Sequence, residues 1–160
     1  MDEKNSSCLF TGHRRLPAGR FDALKRATEE AVCAMNKKGV FAFLCGGAMG
    51  FDLLAGEAVL GLRAGGLAVK LHMVLPCRQQ HDGWPQAEKA RHDRLVTQAD
   101  SVVCLSEDYF NGCMKIRNQY MVNRAAHCIA YLEHLSGGTF YTVSIARLSG
   151  LEIVNLATLI

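Results

Sequence analysis

Short apolar runs alternate along this chain with longer stretches of helical period. The runs at residues 8–11, 40–45, 68–75, 101–105, 126–132 and 152–156 have the length and content of strands. After the first run, Phe21, Leu24, Thr28, Ala31, Val32 and Met35 recur on one helical face, Lys37 and Lys38 fall near the end of the pattern, and Gly39 is placed to stop it. A second helical stretch, at residues 51–64, is apolar nearly all round, which predicts a helix covered by other elements. The third opens at Trp84 with Pro85 in its first turn. Its Glu88, Lys89, Arg91, Asp93 and Arg94 predict the most exposed helix of the set. Two further helices are predicted near residues 115–124 and 139–148.

Strands separated by helices predict an α/β fold: a Rossmann-like, doubly wound, mostly parallel sheet of five to six strands with helices on both faces, in one domain over residues 1–160. In such sheets ligands bind beyond the carboxyl ends of the strands, where the strand order reverses. Three glycine turns fall at that edge. Gly46 and Gly47 follow the second strand, and Gly50 opens the helix behind it, so their backbone N–H groups can face a phosphate. The plain alternative is a tight turn in which Gly50 permits close helix–sheet contact. Gly12 follows the first strand with Arg14 beside it, and Gly137, Gly138 and Thr139 lie between the fifth strand and its helix, where Thr139 can cap. Together these turns predict a phosphate-binding rim. On that reading Gly47→Val should cost ligand affinity far more than stability.

The segment at residues 106–126 is expected beside the switch point. A helix starting near Lys115 puts Arg117 and Asn118 in its first turn, where a guanidinium can grip phosphate and an amide can read a base or ribose. The alternative is a surface arginine in an ion pair, and Arg117→Ala is expected to leave stability nearly unchanged, since exposed pairs contribute about 0–1 kcal/mol.

Composition narrows the class. An apolar content of 49% suffices for a full core, and a net charge of +3 permits phosphate binding without arguing for nucleic acid, which is not expected as a partner. The local exception is GHRRLPAGR at residues 12–20. No apolar stretch is long enough for a membrane span, and the polar start carries no signal-peptide pattern, so the expected location is cytoplasmic with no membrane partner. The seven cysteines are odd in number and lack a CxxC. Cys8, Cys45, Cys104 and Cys128 sit in strand-like runs and read as small buried hydrophobes. Cys77 and Cys113 lie in loops near the rim without a recognisable catalytic partner. The six histidines, at positions 13, 72, 81, 92, 127 and 134, show no ligand spacing, so no metal or other cofactor is expected. A homodimer through helices other than the third fits the pattern.

Asp52, directly after the second glycine turn, is the candidate catalytic carboxylate if the bound nucleotide is cleaved at its glycosidic bond. Equally it suits a first-turn residue favoured by the helix dipole. Glu57 falls about 140° further round the helix, and Glu107 and Asp108 are reserves. Trp84 reads as a residue that staples a helix start, with stacking on a base as the alternative.

The motifs TGHRRLP, GGAMGFDLLAGEAV, LPCRQQHDGW, CMKIRNQYMVNRAAHCIAYL and GGTFYTV, in this order over most of the chain, resemble the YpsA-like family, once called DUF1273, within the SLOG superfamily. The resemblance implies a Rossmann-like fold and binding of a nucleotide or nucleotide-derived ligand, such as an ADP-ribose relative, in a signalling or stress system. Carried residue by residue, it supports Gly46, Gly47, Gly50 and Asp52 in one loop and Gly137, Gly138 and Thr139 in another. Two alternatives come with the wider superfamily: a nucleoside-monophosphate glycosidase like the LOG phosphoribohydrolases, and a single-strand nucleic-acid binder like DprA, for which Arg14, Arg15 and Arg20 would serve. LOG enzymes carry a PGGxGTxxE stretch whose glutamate assists cleavage. Here GGTFYTV offers Thr142 and Val143 and no carboxylate, so hydrolase activity does not simply transfer.

Overall fold

Six apolar runs become six parallel strands in a computed structural model that describes residues 3–160. They are β1 (Ser7–Gly12), β2 (Ala42–Cys45), β3 (Lys70–Leu75), β4 (Ser101–Cys104), β5 (His127–Tyr131) and β6 (Glu152–Asn155), in the order β4-β3-β2-β1-β5-β6. The central strands read as unbroken apolar runs because both their faces are covered. In register, Leu9 lies between Leu44 and Cys128. The edge strand β4 alternates half-buried and exposed positions, with Val102 at 42% exposure. Cys104 therefore departs from the expected buried set: it is exposed, whereas Cys8, Cys45 and Cys128 are buried.

Helix α1 (Phe21–Lys37) buries Leu24, Thr28, Val32 and Met35. It ends as its glycine predicts: at a φ of +93°, Gly39 lets its own N–H reach the Asn36 carbonyl and that of Val40 reach Met35. Helix α2 (Phe51–Ala64) is apolar all round because it packs between α1 and α3 and against β1, β2 and β3. Helix α3 (Gln86–Gln98) buries only His92 and Leu95 among its residues and is the exposed one. It starts after Pro85, not before it: Pro85 is extended, with ψ of 147°. Trp84 packs against the core there. Helices α4 (Cys113–Asn123) and α5 (Gly137–Leu148) each begin two residues earlier than the sequence pattern predicts.

The chain steps outward from β1 through β4 with α1, α2 and α3 on one face, then crosses back in α4 to lay β5 on the other side of β1. Two cores result. One gathers Phe10, Phe43, Phe51, Leu54 and Leu95 beneath α1, α2 and α3, with the Phe10 and Phe43 rings stacked at 5.7 Å. The other gathers Leu9, Leu44, Val74 and Cys128 beneath Met121, Val122, Val143 and Ala146 of α4 and α5. The order reverses between β1 and β5. The segment expected beside that reversal leaves the far edge strand, and α4 carries it back over the sheet so that Met114, Arg117 and Asn118 reach the reversal. Among the described residues, no helix is long and apolar enough to cross a membrane.

Candidate functional site

A cleft of about 300 Å³ opens at the carboxyl ends of β1 and β5. The end of β1 and the turn after it supply Gly12, His13 and Arg14, the turn after β2 and the first turn of α2 supply Ala48 and Asp52, α4 supplies Met114, Arg117 and Asn118, and the chain after β5 supplies His134 and residues 136–139. Seven of the sequence-derived residues meet here besides Asp52: Gly12, Arg14, Arg117, Asn118, Gly137, Gly138 and Thr139.

Gly46, Gly47 and Gly50 do not line this cleft. What each admits is protein. A Cβ on Gly46 would collide with the Arg117 guanidinium, and one on Gly50 with the backbone carbonyls of His13 and Arg14. Gly47 has a φ of +74°, and a Cβ there would meet Met73, Leu75 and Gln80 at 3.1–3.3 Å. The turn already holds an anion of its own, since the Ala48 N–H donates to Asp52 Oδ2 at 3.2 Å. Gly12 lines the cleft, yet its missing side chain makes room for the Phe51 ring.

Arg117 corrects the expectation of an exposed side chain. It is 4% exposed and sits in the second turn of α4. Its Nη1 donates to the Gly46 carbonyl and its Nε donates to Asn118 Oδ1 at 2.7 Å. With Oδ1 accepting, the amide nitrogen of Asn118 is the free end. The Gly46 carbonyl also accepts Gln80 Nε2 at 2.8 Å.

Asp52 is 5% exposed, and burial lifts its carboxyl from 3.8 to about 6 against the opposing pull of Arg117, the Ala48 amide and Arg14. Burial likewise lowers the Arg117 pKa. At both groups burial outweighs the favourable field of the opposite charge.

The N-terminus of α5 has the opposite character. Ser136 makes no side-chain capping bond, and Thr139, three positions into the helix, does not serve as the predicted cap. The leading N–H groups of a helix lack intrahelical partners and carry its positive dipole end. Gly137 and Gly138 leave open space there, with nothing within 4 Å of a Cβ at either. His13 Nε2 accepts the Glu133 N–H at 2.8 Å, which puts the proton of the neutral ring on Nδ1. Burial and the neighbouring His134 lower its pKa, keeping the ring neutral.

The remaining sequence candidates lie elsewhere. Glu57 pairs with Arg91 at 2.7 Å, Asp108 accepts Gln79 at 3.1 Å, and Glu107 faces Arg78 at 3.8 Å. Sequence reasoning missed Ala48, Met114, His134 and Ser136 as cleft residues. For Ser136 the signal was present in HLSGG, read one helical turn too late. The spacing argument against metal ligands also missed that a loop and a helix bring His81, His92 and Asp93 within 4.8 Å of one another.

The profile of YpsA, described as the YspA SLOG family, matches residues 9–147. A UPF0398 protein of Halalkalibacterium halodurans is 25% identical over 127 residues, covering 78% of this chain and 67% of that protein. Among solved structures, DNA processing protein A from Helicobacter pylori, described with a single-stranded DNA binding mode, superposes with a TM-score of 0.68 at 18% identity over 94% of this chain. DprA from Streptococcus pneumoniae gives 0.66 at 16% identity over 93% of it. This chain spans 64% of the first of these and 49% of the second. The likeness to both establishes the Rossmann-like α/β fold.

Proposed function

This chain belongs to the YpsA SLOG family, and we propose that its cleft binds a phosphate-bearing, nucleotide-derived small molecule. The observation that carries the reading is the uncapped, glycine-opened N-terminus of α5 facing a cleft that also holds Arg14. A phosphate oxygen at this end accepts the leading N–H groups of α5 and is favoured by the helix dipole. Arg14 closes on the phosphate from the β1 side with a charge-assisted contact. The free amide of Asn118 and the Nδ1–H of His13 are the neutral donors for a ribose or base. Arg117 acts from beneath by orienting Asn118 and fixing the Gly46 turn. Titration calorimetry with AMP, ADP, ADP-ribose, NAD, cyclic nucleotides and a single-stranded oligonucleotide tests this. Saturable heat with a member of the small-molecule panel is expected. Silence across it refutes the reading, and binding of the oligonucleotide alone replaces it with a DprA-like one.

One observation favours cleavage as a second reading. A carboxyl held at about 6 beside the cleft exchanges protons near neutral pH, as a general acid or base at a glycosidic bond must. Chromatography of purine and pyrimidine nucleoside monophosphates after incubation should then reveal free base, lost in Asp52→Asn. No release from any of them removes this reading and leaves binding intact.

A further inference from the structure

We propose that His81, His92 and Asp93 form a binding site for a divalent transition metal of the zinc class, outside the cleft. One ligand atom from each lies within 4.8 Å of the others. His81 comes from the turn before α3, and His92 and Asp93 from its second turn.

Hydrogen bonds fix which atoms face inward. Gln80 Nε2 donates to the Gly46 carbonyl, so its Oε1 is the atom 2.9 Å from His92 Nε2. That oxygen can only accept, so His92 carries its proton on Nε2. In the neutral ring Nδ1 then presents a lone pair. The lone pair faces Asp93 Oδ1 at 3.5 Å, and His81 Nε2 lies 2.9 Å from the same oxygen. A cation at this point would take the lone pairs of both atoms and replace the proton that His81 Nε2 shares with Asp93. A histidine whose other N–H is committed to a carbonyl is also the arrangement that orients metal-binding imidazoles.

His81 is positioned by its rings rather than by polar contacts. It packs edge-on to His92 at 4.8 Å and to Trp84 at 6.1 Å, and its buried Nδ1 has no hydrogen-bond partner. Its one bonded nitrogen is the one facing Asp93. The Asp93 side chain is 65% exposed, which gives an ion a path from solvent and leaves water to fill the remaining positions. Two imidazole nitrogens and one carboxylate oxygen suit zinc, cobalt(II) or iron(II).

The test is titration of the reduced full chain with zinc chloride, followed by calorimetry and by nitrogen-15 resonances of the histidine rings. The ring resonances separate this site from the free thiols, which also bind zinc. One ion is expected at this site, with His81 and His92 shifting together until it is filled. His81→Asn and Asp93→Asn, both at partly exposed positions, should each weaken binding by at least about tenfold while melting like the parent without metal. If either variant melts early, the ring resonances of the unaltered chain decide alone. Resonances unmoved by excess zinc, or undiminished affinity in a folded double variant, overturn the proposal.

Discussion

Arg117→Ala removes a buried guanidinium that donates to the Gly46 carbonyl and whose charge acts on the buried Asp52 carboxyl. Its cost can be worked from Asp52. A carboxyl lifted from 3.8 to about 6 already costs the fold about 3 kcal/mol when ionised at pH 8, with Arg117 in place. Arg117 is the largest influence opposing that rise, so without it the carboxyl climbs further, and the variant must bury a less compensated charge or take up a proton. Leaving a buried charge without its compensating partner costs up to about 3–5 kcal/mol. The Gly46 carbonyl keeps Gln80 as a donor, so no orphan acceptor adds to this. At pH 5 Asp52 is largely protonated in both folded proteins, the charge contribution disappears, and about 1–2 kcal/mol for a lost hydrogen bond and packing remains. Urea unfolding at the two pH values reads the difference: a loss of about 3–5 kcal/mol at pH 8 should shrink by half or more at pH 5. A loss below about 1 kcal/mol at pH 8, the value of an exposed pair, or equal losses at both pH values, refutes the reasoning.

Asp52→Asn isolates the same carboxyl. A folded pKa raised above the unfolded one gives stability that is present below 3.8 and lost as pH rises through about 6. The parent should therefore weaken relative to the Asn variant by about 2–3 kcal/mol between pH 4 and pH 8 in urea unfolding. Gly46→Ala drives a methyl into the Arg117 guanidinium and should cost about 1–3 kcal/mol by thermal or urea unfolding. Gly47→Val, at positive φ and against Met73, Leu75 and Gln80, should lower stability by at least about 1–2 kcal/mol, with nucleotide affinity of the folded fraction unchanged by calorimetry. Arg14→Ala, at an exposed cleft position, should weaken nucleotide binding about tenfold or more and leave the melting temperature unmoved.

The strands and helices were legible because their residues solve local problems. Apolar runs of strand length, the face of α1 and the stop at Gly39 all state their own environment. Helix starts are less legible: α4 and α5 open on Cys113 and Gly137, which carry no first-turn signal, so the pattern puts both starts two residues late. The candidate site was legible in membership more than in role. Arg14, Arg117, Asn118 and Asp52 converge as the fold rule predicts. A glycine that admits a ligand and one that admits a neighbouring side chain look alike in sequence, however, and only the packing of Arg117 on Gly46 separates them. The exposure of Cys104 was hidden for a related reason, because strand order, and so which strand forms an edge, is a property of the whole sheet.

The carbonyl of Gly46 stands at the end of β2, inside the sheet, and accepts from Arg117 of α4 and from Gln80 just ahead of α3. Those helices lie on opposite faces. A single oxygen thus acts as a rivet through the sheet, and neither helical layer can slide along it at this end without breaking one of the two bonds. The cleft and the His81 turn, which share no lining residue, are by this joint parts of one mechanical unit.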